Sequence, residues 1–444
     1  MSGSNKGASA RTAAKRVVSL DALRGFDLFF LFAIGPIFMS FADGPFAEKF
    51  AASGCLTEIA RHFDHVPWEG FVAWDLIMPL FMFMAGAAIP FSLARYTNRQ
   101  NGRPTLKLFW RIFKRLVLLW IFGMIVQGNL LEMKAEGLRL YSNTLQAIAA
   151  GYFIAVVVYL LTGKVGQFLA ILALMFGYWA TMRWGTGTDT LGVCGSGSYL
   201  PNVNMAEFID RAVLGRWMDG VSFTEDGTWA FSPNYHYTWI LSSLTFGVTT
   251  LLGILAGEMV KAGKKIAVLN YAPQTPSAGA SVYGVKNDTL LRCDVPTNTT
   301  ATASWTVAMK LVILGLIFGS AGWFWGKLPV DSIGYCPLIK HIWTPSMTLF
   351  AAGLSFVLLG VFYLVYDVWK LPLATTFLKV IGMNSIFCYV AAHIIPFDEI
   401  ARRFLYGLEP YLTVYYAPTI RAAGFAILWL LLWWMYRSGK FLRV

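Results

Sequence analysis

Apolar residues gather along this chain in ten runs separated by polar stretches, and most runs are long enough to cross a hydrocarbon core of roughly 30 Å. By hydropathy they lie at 20–41, 71–93, 110–131, 145–161, 168–182, 239–257, 308–324, 347–366, 377–395 and 420–436. Only helices fit such segments, because backbone facing lipid must satisfy its hydrogen bonds within the segment. The pattern predicts an all-α polytopic membrane protein with about ten transmembrane helices (ten to eleven). The fifth and seventh runs are short for a full crossing, so one of them is expected to be broken or re-entrant. The first run follows a basic tail but has neither a short h-region nor a cleavage site, so no signal peptide is expected.

Ten crossings put both termini on one side, and that side collects most of the Lys and Arg, including Arg95, Arg99, Arg103, Lys107, Arg111, Lys114 and Arg115. The positive-inside rule then predicts cytoplasmic termini. The organisation that follows is a basic tail at 1–18 and a membrane domain at 19–444. Long outside loops fall at 42–70 and 183–238. A Pro, Ser, Thr and Ala-rich cytoplasmic stretch at 261–307 reads as a flexible loop. No internal repeat of the transporter kind is seen.

Composition sharpens this picture. The 444 residues are 57% hydrophobic and 14% charged, with mean hydropathy +0.56. A soluble domain would be about a quarter charged, which excludes a water-soluble enzyme. The net charge of +12 follows the topology and does not point to nucleic acid. Of five cysteines, Cys55, Cys194 and Cys336 fall outside, Cys293 in the cytoplasmic stretch and Cys388 in a helix. At most one disulfide fits among the outside three.

Polar residues within the spans carry the candidate chemistry, since a charge at membrane depth costs a few kcal/mol and is usually paired or functional. Asp21 and Arg24, three apart, can pair at the cytoplasmic interface; alternatively Arg24 anchors a phosphate or carboxylate. In the second run, Pro67 suits a first helical turn, which leaves His65 at the outer surface and Asp75 two to three turns deeper, on one stripe with Pro79, Met82 and Gly86. Read by itself, His65 is more simply a loop histidine capping backbone. His62, Asp64 and His65 lack further ligands at metal spacing, so no metal is expected. Three more polar patches suggest a cavity: Tyr141 to Gln146, Gly382 to Ser385 with His393 further along, and Trp343 to Ser346. Each is equally explained by interhelical hydrogen bonds. Neither a phosphate loop nor a serine-hydrolase elbow occurs.

Taken in order, Leu20-Asp21-x-x-Arg24-Gly25, His65-x-x-Trp68-x-Gly70-x-x-x-x-Asp75-Leu76-x-x-Pro79, Leu145-Gln146, Ile209-Asp210-Arg211-x-x-Leu214-Gly215, Gly382-Met383-Asn384-Ser385 with His393, and Tyr436-Arg-x-x-Lys440-Phe441 resemble the heparan-α-glucosaminide N-acetyltransferase family. The resemblance implies a membrane acyltransferase domain that moves acetyl from cytosolic acetyl-CoA to the amine of a terminal glucosamine across the membrane. It places the family's active-site histidine on His65 and its membrane aspartate on Asp75. Arg24, Gln146, Asn384 and Ser385 are then candidates to hold acetyl-CoA or polarise its thioester, and Trp68, His393 and Trp343 to face the sugar. Gly35 and Ala147 depart from the asparagine and arginine of many relatives, which bears on the acceptor more than on the reaction.

A histidine suits this chemistry, because the attacking amine must lose a proton near neutral pH. Direct transfer and an acetyl-histidine intermediate both remain open. An O-acetyltransferase of envelope polysaccharide is the nearest alternative, and a secondary transporter is the alternative from another class. The expected location is a bacterial inner membrane, with the bilayer and a glycan acceptor as partners. Oligomeric state, a homodimer included, is left open.

Overall fold

The computed structural model describes residues 17–42, 47–93, 106–128, 138–224, 226–269 and 298–442. The basic tail, Arg95, Arg99 and Arg103, Cys293 and the centre of the 261–307 stretch lie outside the described residues. Among those described, eight helices are long and apolar enough to cross a membrane, or nine if one bent pair is taken as a single span. They are α1 (Val18–Ala42), α2 (Ala73–Ser92), α4 (Thr144–Leu161), α5 (Lys164–Trp184), α6 (Ser242–Leu269), α7 (Asn298–Gly326), α8 (Pro345–Val368) and α10 (Tyr416–Arg437, the last part of a longer helical stretch). The bent pair, α9, joins Thr375–Met383 to Ser385–Ile394. Helix α3 (Leu106–Val126) is also 21 residues long, but Arg111, Lys114 and Arg115 in its first half set it apart from the apolar set.

Two expectations change. The fifth and seventh spans are not short: α5 runs 21 residues and the apolar part of α7 runs 22. The broken span is the ninth, which bends by 75° between Met383 and Ser385. Its cause is Asn384, whose backbone leaves the helical region (φ −118°, ψ 35°). Its side chain serves the C-terminal segment, with Oδ1 accepting from Leu442 N at 3.2 Å. Helix α1 is also irregular. A π-helical turn at Phe30–Ile34 precedes Gly35–Ala42, where Pro36 lacks the N–H that an α-helix would use.

Lipid tails give helices little hydrophobic reason to associate, so close backbone approach takes over. It is clearest where α1 crosses the first half of α9. A Cβ on Gly25 would run into the Leu378 carbonyl, and one on Gly382 into the Asp21 carbonyl. Both glycines belong to the polar motifs of the sequence, so part of what those motifs encode is this crossing. Helices α2 and α6 pack through Phe83, Ala87, Val248 and Leu252, all buried.

The two long loops expected on the outside are structured. The first holds short helices at Ala47–Ala52 and Gly54–Arg61. The second holds two small hairpins and the helix Met205–Leu214. Within the second, Asp210 accepts hydrogen bonds from Trp239 N at 2.6 Å and Ile240 N at 2.9 Å, just ahead of α6. Burial pushes its carboxyl up to about 7 against the pull of those two amides. Arg211 bonds Asp189 at 2.5 Å and the Asn202 carbonyl at 2.8 Å. The Ile209-Asp210-Arg211 motif is thus the fastening of a loop onto a helix start. Cys55, Cys194, Cys336 and Cys388 are all free thiols.

Candidate active site

Helix α2 begins later than Pro67 suggested. Residues 66–72 form a non-helical loop, and the helix opens with a 3-10 turn at Ala73–Leu76. Asp75 therefore lies in the first turn, not two to three turns deep. Two contacts hold the loop away from helical geometry: Gly70 N donates to Leu338 O at 2.8 Å, and Glu69 bridges to Ile339. Gly70 itself sits at φ +133°, a conformation that side chains resist. Asp75 Oδ2 accepts from Val72 N at 3.2 Å, capping a donor that the helix start leaves without a partner.

The other oxygen of Asp75 meets His65 Nδ1 at 2.7 Å. A carboxylate only accepts, so Nδ1 carries the proton and Nε2 holds the lone pair. Asp75 is 1% exposed and His65 34%, which gives a buried orienting carboxylate beneath a reachable imidazole. The third member was invisible in the sequence. Lys340 Nζ lies 2.9 Å from His65 Nδ1, 3.1 Å from Nε2 and 3.4 Å from Asp75 Oδ1. Burial pulls the ammonium down to about 8, with Asp75 opposing.

Lys340 is presented by a tightly tied turn. Thr344 Oγ1 and Ser346 Oγ donate to the Pro337 carbonyl at 2.7 and 2.9 Å. Trp343 closes the turn, its N bonding Lys340 O at 3.0 Å with a left-handed φ of +48°. The neighbouring His341 is pulled down to about 4 by burial and by Lys340 and His65. It stacks on Trp68 with ring centroids 5.5 Å apart and lies against Tyr237 at 4.6 Å.

His65 and Lys340 open onto a cavity of about 1100 Å³. Arg24, Arg111, Arg115 and Lys261 line the same cavity, with Leu20, Leu31, Ile77, Met78, Phe81 and Phe91 among its apolar walls. Tyr237 lies just before α6 begins and Lys261 near the far end of its apolar part. Nineteen residues at 1.5 Å each make that wall about 28 Å deep, close to a membrane core. At the basic end, Lys261 Nζ donates to Pro90 O at 2.8 Å, Arg24 Nη2 to Met84 O at 2.8 Å, and Arg115 stacks over Tyr152 at 4.3 Å.

Of the residues singled out in the sequence, Arg24, His65, Trp343, Ser385 and His393 line this cavity. His393 Nδ1 donates to Tyr389 O at 2.8 Å. Four do not line it: Asp75 lies buried behind His65, and three others serve elsewhere. Gln146 Oε1 accepts from Ser142 N and Asn143 N at 2.9 and 3.1 Å, while Nε2 donates to Leu140 O at 2.9 Å; it caps α4, buried off the cavity wall. Asn384 is committed to the C-terminal segment. Trp68 donates to the Tyr199 carbonyl at 3.0 Å, behind the Lys340 turn. Lys340 and Tyr237 were missed. The one signal for Lys340 is its place three residues before the Trp343 patch.

The chain is similar to known proteins over most of its length. A family model described as "Domain of unknown function (DUF5009)" matches residues 16–173. The heparan-alpha-glucosaminide N-acetyltransferase of Homo sapiens is 25% identical over 412 residues, 84% of this chain and 52% of that protein. The protein of the same name from Mus musculus is 23% identical over 421 residues, 87% of this chain and 54% of its own. The chain thus spans about half the length of the curated relatives it matches. The likeness first drawn from short motifs extends over 84–87% of the chain.

Proposed function

We propose that the chain is a transmembrane acetyltransferase that takes acetyl from acetyl-CoA at its basic, cytoplasmic end and transfers it at its histidine end to the amine of a glucosamine-type sugar. The observation that carries this reading is the 2.7 Å His65–Asp75 pair at one end of a membrane-deep cavity with four basic side chains toward the other. Arg24, Arg111, Arg115 and Lys261 attract the phosphates of coenzyme A. The pantetheine arm follows the apolar walls and brings the thioester to His65. There Asp75 holds Nδ1–H, so Nε2 takes the proton of the attacking amine and returns it to the departing thiolate. The names of the relatives support an amine acceptor over a hydroxyl. The location consistent with this arrangement is a cytoplasmic membrane.

The test is to incubate purified protein with acetyl-CoA and, in turn, glucosamine, a glucosamine-ended oligosaccharide and a glycan bearing hydroxyls alone. Coenzyme A release with N-acetyl product is expected for the first two. Product from the hydroxyl glycan alone would make the chain an O-acetyltransferase. Absence of coenzyme A release with every acceptor would overturn the reading.

A further inference from the structure

We propose that Lys340 is a further catalytic residue, resting on the acetyl-transfer reading above: its ammonium stands against the His65 imidazole at rest and, during reaction, donates to the thioester oxygen as that oxygen becomes an oxyanion. The argument starts from hydrogen-bond inventory. Asp75 already holds His65 Nδ1 at 2.7 Å, so only Nε2 can accept. A lysine ammonium has donors and no acceptor, and it stands beside both ring nitrogens, 2.9 Å from Nδ1 and 3.1 Å from Nε2. In the resting arrangement the cation therefore crowds the imidazole and masks Nε2 by standing against the ring, not by sitting on its lone pair.

An arriving acyl carbonyl removes the mask without loss. The carbonyl oxygen is a second acceptor, and it strengthens as charge develops on it. The amine nitrogen bonds to the carbonyl carbon, the carbonyl pair moves to oxygen, and the amine proton passes to Nε2. The pair then returns, the C–S bond breaks, and the thiolate sulfur takes the proton from Nε2. Lys340 keeps its protons throughout and changes only the atom it donates to. Its side chain is 9% exposed, where water competes little and such a donor counts most. With its pKa lowered to about 8, it is still mostly charged at neutral pH.

Two measurements test this. The first needs no turnover: diethyl pyrocarbonate acylates the free imidazole lone pair, and mass spectrometry of the His65 peptide reports the rate. Lys340→Met should modify several-fold faster than wild type, with His62 of the same protein as internal reference. The second is steady-state transfer. Lys340→Met should lose roughly 10²–10³-fold in kcat, the usual cost of one oxyanion donor, with the KM for acetyl-CoA little changed and Lys340→Arg recovering part of the loss. Equal carbethoxylation of His65 in wild type and Lys340→Met would overturn the masking. A kcat of Lys340→Met within threefold of wild type would overturn the oxyanion role. Should wild type transfer no acetyl at all, the function fails, and the modification rates still decide whether the base is masked. If Lys340→Met does not fold, Lys340→Leu carries both measurements, since it too removes the ammonium while filling a buried position.

Discussion

The two ends of the cavity are built on different principles. At the histidine end every group is fixed by a neighbour: Asp75 by its helix start, His65 by Asp75, and the Lys340 turn by Thr344 and Ser346. Two backbone contacts join the loops that carry them, Gly70 to Leu338 and Glu69 to Ile339. At the basic end the cations stand on separate helices, Arg111 and Arg115 on α3 and Lys261 on α6. Arg111 is exposed, and Arg115 Nε has no hydrogen-bond partner among the described residues. Proton transfer falls off within a fraction of an ångström of misplacement, whereas attraction of a polyanion needs only a field. The first end must be rigid and the second need not be.

The comparison breaks most directly at His65. His65→Ala should lower turnover by roughly 10²–10⁴-fold, the usual worth of a general base, while melting temperature in detergent and acetyl-CoA binding stay near wild type. Retention of more than about a tenth of wild-type turnover would move the chemistry to another residue, with His393 on the same cavity wall the next to examine.

Asp75→Asn should cost less in rate and more in stability. Loss of an orienting carboxylate is expected to slow turnover about 10–100-fold. It also leaves the Lys340 ammonium buried without its counter-charge, a destabilisation of about 1–3 kcal/mol. The sign with pH follows. Lys340 titrates at about 8 in the native protein, below an unfolded lysine, and losing Asp75 lowers it further. Stability held by a depressed lysine is lost as pH falls, so the melting deficit of Asp75→Asn should widen below pH 8. A deficit constant from pH 9 to 6 would mean that Lys340 does not depend on Asp75.

The same contrast explains what could be seen in the sequence. The long apolar runs were legible because a membrane core admits little else. His65 and Asp75 were legible because a histidine and an intramembrane carboxylate stand out by type. Lys340 was not, since 275 residues separate it from His65 and a lysine in a loop between spans is unremarkable until folding buries it. Gln146 and Asn384 misled for the opposite reason. A helix end leaves backbone groups without partners, and a side chain recruited to cap them looks, in sequence, like one awaiting a ligand. The depth of Asp75 was misplaced because Pro67 is a good first helical residue, overridden by the pairing of its loop with residues 338–339.

The basic end should respond in affinity and hardly in rate. Replacing Arg111, Arg115 and Lys261 together by glutamine removes three charges worth about 0.2–1 kcal/mol each near a surface, so the apparent KM for acetyl-CoA should rise roughly tenfold at low ionic strength with kcat preserved. The gap between variant and wild type should narrow at about 0.5 M salt, as screening shortens the reach of the field. A KM unchanged at low salt would leave these residues to lipid and topology alone. A fall in kcat instead would mean that this end is as exacting as the other.

The smallest effect is predicted three residues from the largest. His62 lies in the same loop as His65, but its Nδ1 accepts from Ala73 N at 3.3 Å, while Trp74 N bonds its carbonyl. Its role is therefore to cap the start of α2, at an exposed position where water can replace the imidazole. His62→Ala should cost about 0.5–1 kcal/mol in stability, as weaker caps do, and keep turnover within about twofold of wild type, a barrier change under half a kcal/mol. A larger loss would show that the start of α2 shifts when its cap is removed. Asp75 would then move with it, and the rigidity ascribed to the histidine end would rest on His62 as much as on the pairing of its two loops.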